Sequence, residues 1–232
     1  MNETIVLQPD SRSSAKDVVV GYTLASLDEL EQLHPALHLL AHPSIVHDSH
    51  DFFASCYDAG VQHAQDGIAE TVAALPDALT DERQRSGLLC AAAGRLDTLD
   101  QSLTHNRLCD LAGQLCASIA QVDSESRSGF YTVRSISLPV YRRLLRDKHS
   151  HSVCLQQSLL HLLAWKSESP WARQQAQRLL WQGGVLGEKG EFALLTLDDE
   201  LRERQVRWPS LWSLLAVTGF LAKFPAGPLF AD

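Results

Sequence analysis

The run Leu211–Phe220, LWSLLAVTGF, is the longest apolar stretch of the chain and leaves almost no polar face. A helix that is apolar all round has to be covered by its neighbours. The sequence therefore predicts a central helix over Leu211–Ala222, with the earlier helices wrapped around it. Lys223 and Pro225 close the run, which falls short of the ~20 apolar residues that a bilayer span requires. No membrane span is expected. The first residues, MNETIVLQPDSRSSAKD, have no basic segment followed by an apolar one, so no signal peptide is expected either.

The chain has 232 residues, room for one large domain or two small ones. Its 45% hydrophobic content is enough for a true core. The net charge of −8 argues against a nucleic-acid surface, which needs clustered cations. Arg142, Arg143, Arg146 and Lys148 read as one solvated helix face, compatible with a small anion. The cysteines, Cys56, Cys90, Cys109, Cys116 and Cys154, are odd in number and form no CxxC pair. Reduced, buried thiols in a cytoplasmic protein are the expectation.

Along the chain, residues 1–25 read as a tail or edge segment, in which ETIVL and DVVVG offer short β-branched runs. Helix signals begin at Ser26, with SLDELEQLH opening on a capping serine and an acidic first turn. Asp48–Leu75 carries apolar residues near a 3.6 period, at Phe52, Cys56, Val61, Ala64, Ile68 and Val72. Thr80–Ser86 is a connector or a helix start, and GLLCAAAGRL (Gly87–Leu96) is a small-residue helix suited to a close crossing. Further helices are expected over Asp100–Ala120, Pro139–Arg146, Val153–Trp165 and Trp171–Trp181, the last ending at the glycine pair Gly183–Gly184. The expected fold class is all-α: a single multi-helix domain over 26–225, followed by a tail at 226–232.

His34, His38 and His42 are spaced by four, with His47, Asp48, His50 and Asp51 behind them. That spacing can present zinc ligands on a helix. Pro35 and Pro43 interrupt the helix, however, and no HExxH base is present, so surface or capping histidines are expected. There is no G-x-S-x-G elbow, no P-loop and no strand-linked GxGxxG. Gly187-Glu188-Lys189-Gly190 reads as a turn. Glu125, Glu168, Asp198, Asp199 and Glu200 are the acids placed to face a cleft, where loop carboxylates can hold Mg²⁺ with phosphates. The plainer expectation for Asp198–Glu200 is a solvated helix face.

Three groups of residues then stand in a familiar order: GLLCAAAG (Gly87–Gly94), GFYTVR with Leu138-Pro139 (from Gly129), and LDDEL (Leu197–Leu201) followed by LLAVTGFL (Leu214–Leu221). This pattern resembles the triphosphoribosyl-dephospho-CoA synthases of citrate lyase and malonate decarboxylase systems, from about His42 to Phe224. The resemblance implies an all-α fold. It also implies a reaction in which ATP condenses with 3′-dephospho-CoA and adenine leaves, with Mg²⁺ and ATP as the groups to be bound.

The departures from the family pattern fall on its ligand loops. Leu79, Thr80 and Asp81 stand where the family has His, Lys or Arg, and Gly. Ser167-Glu168-Ser169 replaces Asp-Asp-Thr, and the His-Arg-Gly loop that follows in the family has no counterpart. Arg207 to Ser213 (RWPSLWS) replaces Ser-Pro-Gly-Gly-Ser-Ala-Asp. Pro43-Ser44-Ile45-Val46 and His50-Asp51 are what remains of two early elements, with almost no loop between them. Glu125 matches the family's Glu before Gly-Phe.

The resemblance thus implies a degenerate homologue without the parent transfer activity, acting as a binding or regulatory protein. A synthase paralogue or an acyl carrier protein is the implied partner, and self-association is compatible. Two further readings stay open. One is an active divergent transferase, with Glu125, Glu168 and His50 as catalytic groups, Glu125 and Glu168 as Mg²⁺ ligands, and Arg83, Arg85 or Arg127 as the phosphate cation. The other is a helical interaction module that uses Trp171, Trp181, Trp208 and Trp212.

Overall fold

The computed structural model describes residues 14–40, 49–76, 81–119 and 123–224. Among them are the helices α1 (Ala15–Glu31), α2 (Ser49–Gln62), α3 (Ile68–Ala73), α4 (Asp81–Thr98), α5 (His105–Ala117) and α6 (Ser124–Arg127). Then follow α7 (Leu138–Arg146), α8 (His151–Lys166), α9 (Pro170–Trp181), α10 (Gly190–Glu203) and α11 (Leu211–Lys223). Short 3₁₀ turns lie at His38–Leu40 and Gly184–Leu186, and a π turn at Val133–Ser137 leads into α7. No strand occurs among the described residues, so the all-α expectation stands.

Every residue from Leu211 to Ala222 is buried, as an all-apolar helix requires. Each fully covered Leu, Val or Phe on it contributes roughly 1.5–3 kcal/mol. Helices α1, α4, α7 and α8 and the π turn all pack on α11. Its few polar side chains are satisfied inside the core: Thr218 Oγ1 donates to Leu214 O at 2.7 Å and lies 2.7 Å from Ser137 Oγ.

The chain's start differs from the sequence reading. Helix α1 begins at Ala15, not Ser26, and takes in the DVVVG run. Ser14 and Asp17 form a reciprocal capping box at its first turn. Val19 and Val20 are buried, so packing overrides the modest helix penalty of β-branched residues. The expected boundary at residue 25 therefore cuts through a helix, and the ETIVL run lies outside the described residues.

The Asp48–Leu75 stretch is two helices, α2 and α3, separated at residues 63–67. Arg95 from α4 fills that break, donating to the carbonyls of His63 (2.5 Å), Asp66 (3.0 Å) and Gly67 (3.2 Å) and to Thr71 Oγ1 (2.6 Å). Gly60 is the crossing point of α2 with α4. A Cβ there would lie 2.1 Å from the Ala91 carbonyl oxygen, and one at Gly94 would lie 2.2 Å from that of Tyr57. The small-residue helix is used as its composition predicts.

Helices α2 and α4 run in the same direction. Phe52 meets Arg83 near their starts, and His63 meets Arg95 near the end of α2. Helix α8 returns antiparallel to the π turn and α7: Ser158 Oγ donates to Ser137 O, and Lys166 reaches the Tyr131 ring. At the far end of α11, Lys223 Nζ lies 2.6 Å from Glu29 Oε2, and Glu29 also accepts from the Tyr141 hydroxyl at 3.4 Å. This ties α1, α7 and α11 together away from the residues discussed next.

Candidate functional site

These directions decide where the candidate residues fall. His50 lies one turn before Phe53 at the start of α2, beside the first turns of α4 that carry Arg83 and Arg85. Arg85 reaches Asp123 at the start of α6, and α6 carries Glu125 and Arg127. It also reaches Ser210 and Ser213 at the start of α11. The end of α8 arrives at the same place, because Lys166 lies over Tyr131, three residues after Ser128 closes α6. Glu168 follows two residues later. All six candidates thus gather at one end of the bundle, from four separate chain segments.

Their chemistry differs from the sequence expectation. Arg85 is 7% exposed. Its Nε donates to Asp123 Oδ2 at 2.7 Å and its Nη2 to Asp123 Oδ1 at 3.0 Å, a two-point guanidinium–carboxylate pair. Nη1 donates to Ser210 O at 3.1 Å and to Ser213 Oγ. Four of its five N–H donors are therefore committed within the fold. Burial pushes the Asp123 carboxyl up, but hydrogen bonds from Arg85 and Ser126, with the charge of Arg85, outweigh it and hold the pKa at about 2.

Glu125 is likewise employed by the backbone. Its Oε1 accepts from Thr132 N at 2.7 Å and Val133 N at 3.1 Å, just where the π turn opens. These are the amides that a helix start leaves without partners. Replacing Glu125 with Ala should cost about 1 kcal/mol of stability, as cap losses do. Glu125→Gln, which keeps an acceptor oxygen, should recover most of it. Urea unfolding of the two variants measures the difference.

Three of the other candidates are exposed and Arg83 is half-buried. Glu168 and Arg127 are exposed. His50 is exposed and 3.3 Å from the carboxylate of its neighbour Asp51. The Arg83 guanidinium lies 5.3 Å from the centre of the Phe52 ring. No group of three His, Cys, Asp or Glu side chains placed to hold a metal occurs among the described residues. His34 and His38 lie outside any α-helix, and His42 and His47 lie outside the described residues. The segment 79–80, expected from the sequence to depart from the family pattern, lies outside them as well.

Two further expectations change. Asp198 is buried, not solvated: it accepts from His38 N at 2.6 Å and Leu39 N at 3.0 Å, and so caps the 3₁₀ turn across the fold. Asp199 is on the solvated face, 2.7 Å from Arg202. The tryptophans do not form one face. Trp212 is buried, Trp208 is half-buried with its Nε1 donating to Ser210 Oγ at 3.0 Å, and Trp171 lies under the Arg204 guanidinium at 4.1 Å. Trp181 alone of the four is fully exposed. The five cysteines are buried and free, as expected, and burial pushes the Cys90 and Cys154 thiols up to about 12, so neither is an activated nucleophile.

The residue that sequence reasoning missed is Asp123. It reads as one polar loop residue among several, and its only local signal is the Asp-x-x-Ser spacing of a helix cap to Ser126, which it meets at 2.6 Å. Nothing local points to Arg85, 38 positions earlier.

No helix among the described residues is long and apolar enough to cross a membrane. No family model and no solved structure matches the chain. Curated proteins do. A probable 2-(5''-triphosphoribosyl)-3'-dephosphocoenzyme-A synthase of Salmonella gallinarum is 37% identical over 182 residues, covering 63% of this chain and 60% of the relative. The synthase of Klebsiella pneumoniae is 36% identical over 180 residues, with 62% and 60% covered. That of Escherichia fergusonii is 33% identical over 183, with 63% and 60% covered. The chain thus spans about 60% of the length of these relatives. The first match runs over 182 positions yet takes in 63% of a 232-residue chain, so it includes positions that the relative fills and this chain does not. Over the shared region, the chain is similar to the triphosphoribosyl-dephosphocoenzyme-A synthase family.

Proposed function

We propose that the chain is a non-catalytic member of this family, which keeps the helical body of the synthases and works by binding. One observation carries the reading. Ser210 and Ser213 lie in the segment that departs from the family's Gly-Gly turn. Arg85 follows the segment that departs from its His-Lys-Gly. Arg85 bonds Ser210 and Ser213 of the first segment, and Asp123. Two positions of that departing segment thus help to hold a cation of α4 within the fold. A cation with four of its five donors spent inside the fold has little left for a polyphosphate. The positions inside the match that the relative fills and this chain does not support the same reading.

The test uses ATP, Mg²⁺ and 3′-dephospho-CoA with the full chain. Free adenine is followed by chromatography, and each ligand is titrated by calorimetry. The expected result is no adenine above the protein-free control, with saturable heat from at least one nucleotide. Among protein partners, a full-length synthase or an acyl carrier protein is proposed. Failure to recover a complex with either in a pull-down removes that part.

A second reading, an active divergent transferase using Mg²⁺, is favoured by the gathering of His50, Arg83, Glu125, Arg127 and Glu168 at one end of the bundle. Adenine release that Glu168→Ala abolishes would establish it and sink the first. Glu168 suits the purpose because it is exposed, so its loss should leave the fold intact.

A further inference from the structure

Five large apolar side chains are strongly exposed among the described residues, and three of them belong to one short stretch: Trp181 (90%), Leu186 (45%) and Phe192 (71%). The chain between them is wound into a knot of consecutive turns. Leu186 N donates to Gly183 O at 3.2 Å, Gly187 N to Gly184 O at 3.2 Å, and Gly190 N to Gly187 O at 3.0 Å. A Cβ on Gly190 would lie 2.3 Å from the Gly184 carbonyl oxygen, so the start of α10 is pressed onto the 3₁₀ turn that follows α9. Trp181 and Phe192 each stand within two residues of this knot. All three are exposed on one corner of the chain, where the end of α9, the 3₁₀ turn and the start of α10 pack together.

Burial in the core does not require these side chains, since α9 and α10 already bury Ala172, Ala176 and Leu179, and Leu194, Leu197 and Leu201. Clustered exposed aromatics mark contact surfaces, and tryptophan is among the residues that contribute most to them. The surrounding charges indicate the occupant. Arg178 and Lys189 supply two cations and Glu188 and Glu191 two anions, all four exposed. The corner is therefore locally neutral on a chain of net charge −8. A strongly basic or acidic partner would find no matching field here. A patch with equal numbers of both signs suits a two-fold contact, in which the same surface meets itself and each cation can face the partner's anion. Elsewhere two acidic copies repel.

We infer that the Trp181–Leu186–Phe192 corner is the self-association surface of this protein, and that its occupant is a second copy of the same chain. The inference is independent of whether the chain is catalytic.

Sedimentation equilibrium of the full chain over a dilution series tests it. The expected mass is twice the 25.6 kDa of one chain, falling to one on dilution. Trp181→Ser combined with Phe192→Ser should sediment as a single chain, with unchanged circular dichroism because both side chains are exposed. Glu188→Lys with Glu191→Lys should weaken self-association at least about tenfold by facing like charges across the two-fold axis. Mixing that variant with Arg178→Glu/Lys189→Glu should restore the double mass. A wild type of single mass at every concentration overturns the inference, even if it captures another protein. So does a serine double variant that stays at double mass.

Discussion

Arg85→Ala will lower the unfolding free energy by about 3–5 kcal/mol, the usual loss when one partner of a buried ion pair is removed. Arg85 joins the starts of α4, α6 and α11. Its removal leaves the Asp123 carboxylate without its counter-ion and Ser210 O without that donor. Against a total stability of about 5–15 kcal/mol, such a loss is large. The same pair has a pH signature. The folded Asp123 pKa is held at about 2, below its ordinary 3.8. A depressed carboxylate contributes stability that is fully present above the unfolded value and disappears as pH falls from 3.8 towards 2. Urea titrations at neutral pH and through that acid window, on wild type and Arg85→Ala, check both statements. The wild type should lose stability across the window, and the variant should lose less, because the groups that depress the Asp123 pKa are reduced to Ser126. Equal acid sensitivity in the two proteins would refute the assignment.

The second large effect is expected at the α2–α4 crossing. In an isolated helix, Gly→Ala is a gain of up to about 1 kcal/mol. At Gly60 and Gly94 the sign should reverse. The added methyl would lie 2.1 Å from the Ala91 carbonyl oxygen or 2.2 Å from that of Tyr57, and both obstacles are backbone atoms that no rotamer change can move. Overpacking of this kind costs about 1–3 kcal/mol at each site, and more when helices must separate. Thermal unfolding of Gly60→Ala, Gly94→Ala and the double variant measures it. The double variant should fall below the sum of the singles only if the first methyl already forces the helices apart. A stabilised single variant would mean that the crossing is looser than described. The two tests are complementary, since the first probes charges that hold one end of the bundle and the second probes the contact that sets its spacing.

The family resemblance and the helix positions were legible because they rest on local pattern. GLLCAAAG announces a close crossing by side-chain size alone, and the Gly183–Gly184 pair announces the end of α9 by its left-handed backbone, with φ of 98° and 64°. Where local pattern was ambiguous, packing decided. DVVVG suits a strand by propensity, yet Val19 and Val20 are buried inside α1 behind a Ser14–Asp17 capping box. The stretch from Phe52 to Val72 keeps a helical period across a break, because the period does not register the three carbonyls that Arg95 supports at residues 63–67.

By itself, the sequence determined the class of the fold and its centre. A run as apolar as Leu211–Ala222 can only be stable when covered on all sides, and helices with period 3.6 are what the rest of the chain offers to cover it. The sequence also offered segments, such as Arg207–Ser213, that read as departures from the family pattern. Only the tertiary structure decided what the charged candidate residues do. Glu125 and Asp198 look like free acids in sequence and are backbone caps in space; Arg85 looks like a phosphate ligand and is the partner of Asp123. The physical reason is distance along the chain. A hydrogen-bond partner 128 residues away, as Ser213 is from Arg85, leaves no trace in local composition. Whether a buried charge serves a ligand or the fold depends on which donors and acceptors arrive beside it.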